Sequence, residues 1–218
     1  MNEQTKLALV TGASRGLGYA MALELGKRGY HIMALARSQG GLEELADALD
    51  AIGAPSTLVP LDLSDDMGVQ RMCLAIHERW GKLDLLVHCA VHAAPLSPVS
   101  HVGEKDLDRS IAVNIRATQR LMGMAESLVR AASGTMVYFR DDMGGHKFQS
   151  TYGMSKAAQA ALVETQIAES AEIGPRVLHL SPKPMATATR ARFYPGEDRG
   201  KLASPADEAA RLMAEILP

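Results

Sequence analysis

Residues 6–29 constrain the fold more tightly than any other stretch of the chain. Lys6-Leu7-Ala8-Leu9-Val10-Thr11 is a short apolar run that ends in Gly12-Ala13-Ser14-Arg15-Gly16-Leu17-Gly18, and helix-spaced residues follow as far as Gly29. The order is strand, glycine turn, helix. The glycines let the backbone turn sharply and let an anion approach the helix N-terminus, where free N–H groups and the helix dipole favour negative charge. A glycine turn between a first strand and a first helix reads as a nucleotide phosphate site, because dinucleotides bind at the ends of parallel strands. Its spacing, Gly-x-x-x-Gly-x-Gly, differs from the commoner Gly-x-Gly-x-x-Gly.

The same alternation continues along the chain. Residues 31–36 read as a second strand, 42–49 as a second helix, and 57–61 as a third strand whose Pro60 argues for an edge position. A helix from about Asp65 to Trp80 and a fourth strand at 83–89 follow. After a loop carrying Pro95 and Pro98, a long helical region covers about 105–131 with Asn114 inside it. Strands at 135–139 and 176–180 flank an Ala-rich helix, 182–200 is rich in Pro, Gly and charge, and Pro205 opens a last helix to Leu217. Strands separated by helices imply an α/β fold, a doubly wound parallel sheet joined by right-handed crossovers and covered on both faces. No linker-like shift in composition interrupts the 218 residues, so a single domain over 1–218 is expected.

A formal net charge of −2 with no block of like charges gives no electrostatic footprint for nucleic acid or a membrane surface, which leaves small molecules or protein as partners. No apolar run reaches the roughly 20 residues of a membrane span, and no leader pattern opens the chain; a soluble, cytoplasmic protein is expected. Cys73 and Cys89 read as small core residues and the methionines as packing.

Tyr152 and Lys156 lie four apart in the Ala-rich helix and so share a face. A phenol titrates near ~10, and a neighbouring cation lowers that value, making tyrosine a candidate general acid or base. The alternative is a solvated lysine beside a half-buried tyrosine. For Asn114, the alternatives are a functional amide or a polar residue kinking its helix. His88 and His92 lie at a strand end and in the following loop with no third ligand in view, so no metal site is expected.

Thr11-Gly-x-x-x-Gly-x-Gly18, Asp62, Asn114 and Tyr152-x-x-x-Lys156, in that order over nearly the whole chain, resemble the short-chain dehydrogenase/reductase family. The resemblance implies a Rossmann fold of strand order 3-2-1-4-5-6 and a nicotinamide cofactor exchanging hydride with a carbonyl or alcohol. It implies Tyr152 as proton donor or acceptor, Lys156 lowering the tyrosine pKa and bonding the nicotinamide ribose, Asn114 ordering a proton-relaying water, and Asp62 at the adenine. Cofactor contacts are implied at Gly12, Ser14, Arg15, Gly16, Leu17, Gly18, Arg37, Ser38, Asp62, Leu63, Cys89, Ala90, Lys156, Pro182 and Thr187. A homodimer on the long helices around Asn114 and Tyr152, or a homotetramer, is implied as well. The family continues past Pro205-Ala206-Asp207-Glu208 to a seventh strand, whereas this sequence ends at Leu217-Pro218, so six strands are expected.

Charge points to the phosphorylated cofactor. The second strand leads into Ala36-Arg37-Ser38 with no acid for a ribose 2′-hydroxyl, and Arg15 sits in the glycine turn; two guanidiniums suit a 2′-phosphate, so NADPH is expected over NADH. The alternative is a pair of solvated arginines.

Three positions depart from the family pattern. Where the family has a serine that donates to the substrate oxygen, alignment on Gly134 and Gly144 puts Asp141, which as a carboxylate can only accept, and counting back from Tyr152 gives Phe139 instead; neither is a serine. Asp141 could be protonated, could pair with a cationic imine or amine substrate, could yield its place to Tyr138, Ser150 or Thr151, or could be one of a solvated pair with Asp142. Asn-Asn-Ala-Gly is replaced by His88-Cys89-Ala90-Val91, and Pro-Gly by Pro182-Lys183, where the lysine either binds an anion or snorkels to water. The expected activity is NADPH-dependent reduction of a small carbonyl or imine substrate. The alternatives are a cofactor-binding sensor or partner protein without turnover, and a non-redox isomerase or lyase using Asp141 and Tyr152.

Overall fold

The computed structural model describes residues 5–217. Six strands form one all-parallel sheet: β1 (Leu7–Thr11), β2 (His31–Ala36), β3 (Ser56–Pro60), β4 (Leu85–His88), β5 (Thr135–Phe139) and β6 (Arg176–Leu180), in the order β3-β2-β1-β4-β5-β6. The crossovers are α1 (Gly16–Gly26), α2 (Gln39–Asp50), α3 (Asp66–Trp80), the long region of α4 (Glu104–Ser110) and α5 (Ala117–Ala131), and α6 (Ser150–Ser170); α7 (Ala188–Phe193) and α8 (Pro205–Ile216) follow β6. The central strand explains why both faces must be covered. All five residues of β1 are buried; Ala8 and Val10 join the core beneath α1, α2 and α8, while Leu7 and Leu9 join the core beneath α3 and α5. That is the period-2 alternation of a strand sandwiched between helical layers. Pro60 closes the edge strand β3, which pairs only with β2, where a missing N–H breaks no ladder.

Several boundaries differ from the sequence expectation. The second helix begins at Gln39 because Ser38 Oγ caps the Gly41 N–H, a start hidden by two weak helix formers, Gly40 and Gly41. The fourth strand is shorter than 83–89, and Cys89 lies beyond it. The long region runs without a break from Glu104 to Ala131, but Ile111–Arg116 between its two α-helices is π-helical and contains Asn114. α7 falls inside the segment 182–200 that suggested no element; Thr187 caps it through the Arg190 N–H. No helix among the described residues is long and apolar enough to cross a membrane.

Candidate active site

The carboxyl ends of the strands open into one cavity of about 860 Å³, into which β1, β2, β4 and β5 all point. At its floor the backbone packs too closely for side chains. Gly12 has φ +68°, and a Cβ there would lie 2.8 Å from the Ala90 nitrogen; a Cβ on Gly18 would lie 2.3 Å from the Gly12 carbonyl oxygen. The two glycines therefore join the end of β1, the end of β4 and the start of α1 in one tight knot. Helix α1 is then left bare at its N-terminus: Arg15 at the N-cap makes no side-chain cap bond and the first turn holds no acid, in contrast to α2, α3 and α8, capped by Ser38, Asp65 and Ser204. Unpaired N–H groups and an uncompensated dipole end face the cavity beside Ser14, Gly16 and Leu17.

Arg37, Ser38, Asp62 and Leu63 line the same cavity at the ends of β2 and β3. Asp62 is held firmly: Oδ1 accepts from the Ser64 N–H (2.9 Å) and hydroxyl (2.7 Å), Oδ2 pairs with Arg109, and the Arg37 guanidinium stands 4.0 Å away. Burial opposes the charge on Asp62, but the Ser64 and Arg109 donors outweigh it and lower the carboxyl pKa. Arg109 was not foreseen as a partner, since it lies 47 residues away.

At the other end, Tyr152, Lys156 and Gln159 project from one face of α6 toward the end of β5. The Tyr152 hydroxyl donates to Asp141 Oδ2 at 2.7 Å. Burial first, then the Asp141 charge, push the phenol pKa above its ordinary value. The Lys156 ammonium donates to the Phe139 carbonyl (2.7 Å) and to Gln159 Oε1, and burial lowers its pKa from 10.5 to about 8, with Asp141 opposing. In this geometry burial and the Asp141 carboxylate raise the phenol pKa, and the Lys156 ammonium is bonded to Phe139 and Gln159. Asn114 does not face the cavity. Its amide pairs with the His92 backbone, accepting the N–H at 2.7 Å and donating to the carbonyl at 2.9 Å, and donates to Ser155 Oγ at 2.9 Å. The π-helical bulge brings it there.

His88 connects these groups, and the polarity of its bonds follows by elimination. Lysine can only donate, so Gln159 Oε1 accepts and its Nε2 donates to Thr118 Oγ1 (3.0 Å). Thr118 has one proton, given to the Asn114 carbonyl (2.9 Å), so at 3.0 Å His88 Nε2 must donate to Thr118. His88 Nδ1 then accepts from the Thr11 hydroxyl (2.9 Å), whose oxygen takes the Ala90 N–H (3.2 Å). A single ordered chain runs from the glycine floor to Lys156. Burial, with a smaller contribution from Lys156, lowers the His88 pKa from 6.5 to about 3, which keeps this tautomer neutral. Because the unfolded chain takes up the proton first, stability falls as pH drops from about 6.5 toward 3. We expect His88→Asn to lose about 2–3 kcal/mol less than the parent between pH 7.5 and pH 4.5, read from urea midpoints at the two pH values.

Of the substitutes considered for the missing hydroxyl, none reaches the cavity: Tyr138 is buried in the core, Ser150 donates to the Ser97 carbonyl, and Thr151 is buried. Asp142 is exposed, 3.9 Å from Arg140. Lys183 lines the cavity and is exposed, while its backbone N–H is held by Glu208 at 2.8 Å. Pro182, Cys89, Ala90 and Val91 line it also, and Thr187 lies above Gly16. Sequence reasoning missed Gln159, Thr118 and Phe193. The first was legible as the residue one turn beyond Lys156; the ring of Phe193, 4.9 Å from that of Tyr152, depends on how α7 folds back.

A six-stranded parallel sheet of this order, with a glycine turn and a bare helix N-terminus at its switch point, defines a doubly wound α/β protein of the Rossmann type. Residues 6–198 match the family described as short chain dehydrogenase, and the chain belongs to that family of oxidoreductases. It is 29% identical over 180 residues to an uncharacterized oxidoreductase of Staphylococcus epidermidis, covering 81% of this chain and 76% of that protein. It is 28% identical to the sepiapterin reductase of Chlorobaculum tepidum, with the same shares covered. Among solved structures, a short chain dehydrogenase from Salmonella enterica serovar Typhi superposes with a TM-score of 0.90 at 26% identity, over 97% of this chain and 88% of that one. An alcohol dehydrogenase from the archaeon Thermococcus sibiricus, complexed with 5-hydroxy-NADP, gives 0.86 at 25% identity over 99% and 92%.

Proposed function

We propose that this protein is an NADP(H)-dependent reductase of a small substrate containing a C=O or C=N bond. The observation that carries the reading is the cavity itself: glycine turn and bare helix N-terminus at one end, Tyr152, Asp141 and Lys156 at the other. The residues fit a dinucleotide. The floor leaves no room for a Cβ at Gly12 or Gly18, which lets a pyrophosphate approach the α1 N–H groups, and Arg15 and Arg37, both lining the cavity, offer guanidinium donors for a 2′-phosphate. The bound nicotinamide supplies hydride. Tyr152 carries the proton nearest the reacting bond, and Lys156, ordered by Gln159 and the Phe139 carbonyl, is placed to bind the cofactor ribose.

The test is to titrate the protein with NADPH and NADH by calorimetry, then to follow NADPH oxidation against ketones, quinones and imines. We expect NADPH to bind more tightly than NADH by roughly 10–100-fold, the worth of a charged hydrogen bond, and Arg37→Asp to erase most of that difference; equal affinities in the parent contradict the cofactor assignment. A second reading takes support from the Tyr152–Asp141 bond: an acid–base pair moving protons without net redox change. It predicts that NADPH is bound and not consumed.

A further inference from the structure

We propose that the substrate of this site bears a positive charge on nitrogen at the bond to be reduced, an iminium, and that Asp141 selects it. This rests on the hydride-transfer reading and narrows its substrate class. The Tyr152 proton is directed at Asp141 Oδ2, 2.7 Å away, so an acceptor stands where a carbonyl oxygen gaining negative charge needs donors. Nor is the carboxylate neutralised by the protein. The guanidinium of Arg140 is taken by Glu164, that of Arg190 by two bonds of 2.7 Å to Glu197, and the Lys156 ammonium by Phe139 and Gln159. Among the described residues no cationic group stands within ion-pair distance of Asp141, which opens to the cavity. The neighbouring wall is aromatic: Tyr152 and Phe193, with centroids 4.9 Å apart, both line the cavity.

The chemistry balances without a proton donor. Hydride from NADPH forms a C–H bond at the iminium carbon, the C=N π pair becomes the nitrogen lone pair, and the products are a neutral amine and NADP⁺. Positive charge passes from substrate to nicotinamide, and no oxyanion forms beside the carboxylate. Reduction of a ketone here would place an alkoxide next to Asp141 and draw its proton from a tyrosine whose phenolate that same carboxylate disfavours.

The test uses two bicyclic compounds of the same shape with the NADPH-loaded protein: the N-methyl dihydroisoquinolinium cation, which is permanently charged, and alpha-tetralone. We expect kcat/KM to favour the cation by roughly 100-fold, and Asp141→Asn to lower turnover of the cation by a similar factor while leaving the ketone no worse. Asp141→Ser, which restores a donor, raises ketone turnover; Tyr152→Phe keeps cation turnover within about tenfold and removes what ketone turnover there is. A readout independent of turnover is calorimetric binding of tetrahydroisoquinolinium to the NADP⁺ complex, expected to weaken at least about tenfold in Asp141→Asn, whereas its neutral oxygen analogue isochroman is unaffected. Equal use of both compounds by the parent, or amine binding indifferent to Asp141, overturns the proposal. Amine binding that depends on Asp141 without reduction of either compound upholds charge selection and overturns the hydride-transfer reading instead.

Discussion

Gly18→Ala is expected to cost the protein both stability and cofactor. The new Cβ would lie 2.3 Å from the Gly12 carbonyl oxygen and 2.8 Å from its carbonyl carbon, both backbone atoms with no rotamer to yield. Overpacking of this kind costs about 1–3 kcal/mol, which for a chain of this size is roughly 2–10 °C in melting temperature. The larger effect is on binding, because relief of the clash must part the end of β1 from the start of α1, the two backbones that frame the phosphate site. Loss of one charged hydrogen bond from the α1 N–H groups costs about 1.5–3 kcal/mol, so NADPH affinity is predicted to fall by roughly 10–100-fold. Gly40→Ala is the control: a Cβ there meets nothing within 4 Å inside helix α2, and the expected change is a gain of about 0.5–1 kcal/mol with cofactor affinity intact. Calorimetric NADPH titration of the three proteins, with melting curves alongside, reads both effects.

The second large effect is expected at Lys156. Lys156→Met keeps the length of the side chain and removes the cation that holds the cofactor ribose, so turnover should fall by on the order of 10²-fold, the usual consequence of misplacing one reactant. The pH behaviour identifies the cause. The buried ammonium loses its proton near pH 8 in the folded protein but near 10.5 when unfolded, so between those values the unfolded chain holds more protons and stability rises with pH. Functions that need the charge decline over the same range, above about pH 8. The parent should therefore gain up to about 3 kcal/mol relative to Lys156→Met between pH 8 and 10.5, while its turnover declines. A variant with the same pH–stability slope as the parent contradicts the burial of a titrating ammonium.

Much of the fold was legible because it is built from local signals. Short buried strands alternating with helices, Pro60 at an edge, Asp65 before a helix and Pro205 opening α8 all carry their physics within a few residues. The motif residues were legible for the same reason: Gly12, Gly16 and Gly18 are neighbours, and Tyr152 and Lys156 lie one turn apart. What escaped depends on contacts across the chain. The π-helical turn carries Asn114, whose amide pairs with the His92 backbone 22 residues away, and no local pattern announces that partner. The Asn114 amide ties the loop after β4 through the His92 N–H and carbonyl. His88 looked like a departure from the pattern, and the structure makes it the middle of a hydrogen-bond chain from Thr11 to Lys156, joined through Thr118 at a separation of 30 residues. The pairing of Tyr152 with Lys156 was the reverse case. Spacing brings them to one face, while burial and the Asp141 carboxylate, which no local pattern announces, raise the phenol pKa.

The central claim is that hydride passes from NADPH to a substrate carbon held beside Asp141 and Tyr152. Its most direct test is single-turnover reaction of the N-methyl dihydroisoquinolinium cation with NADPH carrying deuterium at both hydrogen positions of the reactive nicotinamide carbon, followed by mass spectrometry of the amine. One deuterium is expected in the product, with formation of that product slowed by on the order of 10²-fold in Lys156→Met. An amine free of deuterium, or cofactor recovered unoxidised after binding, would contradict it.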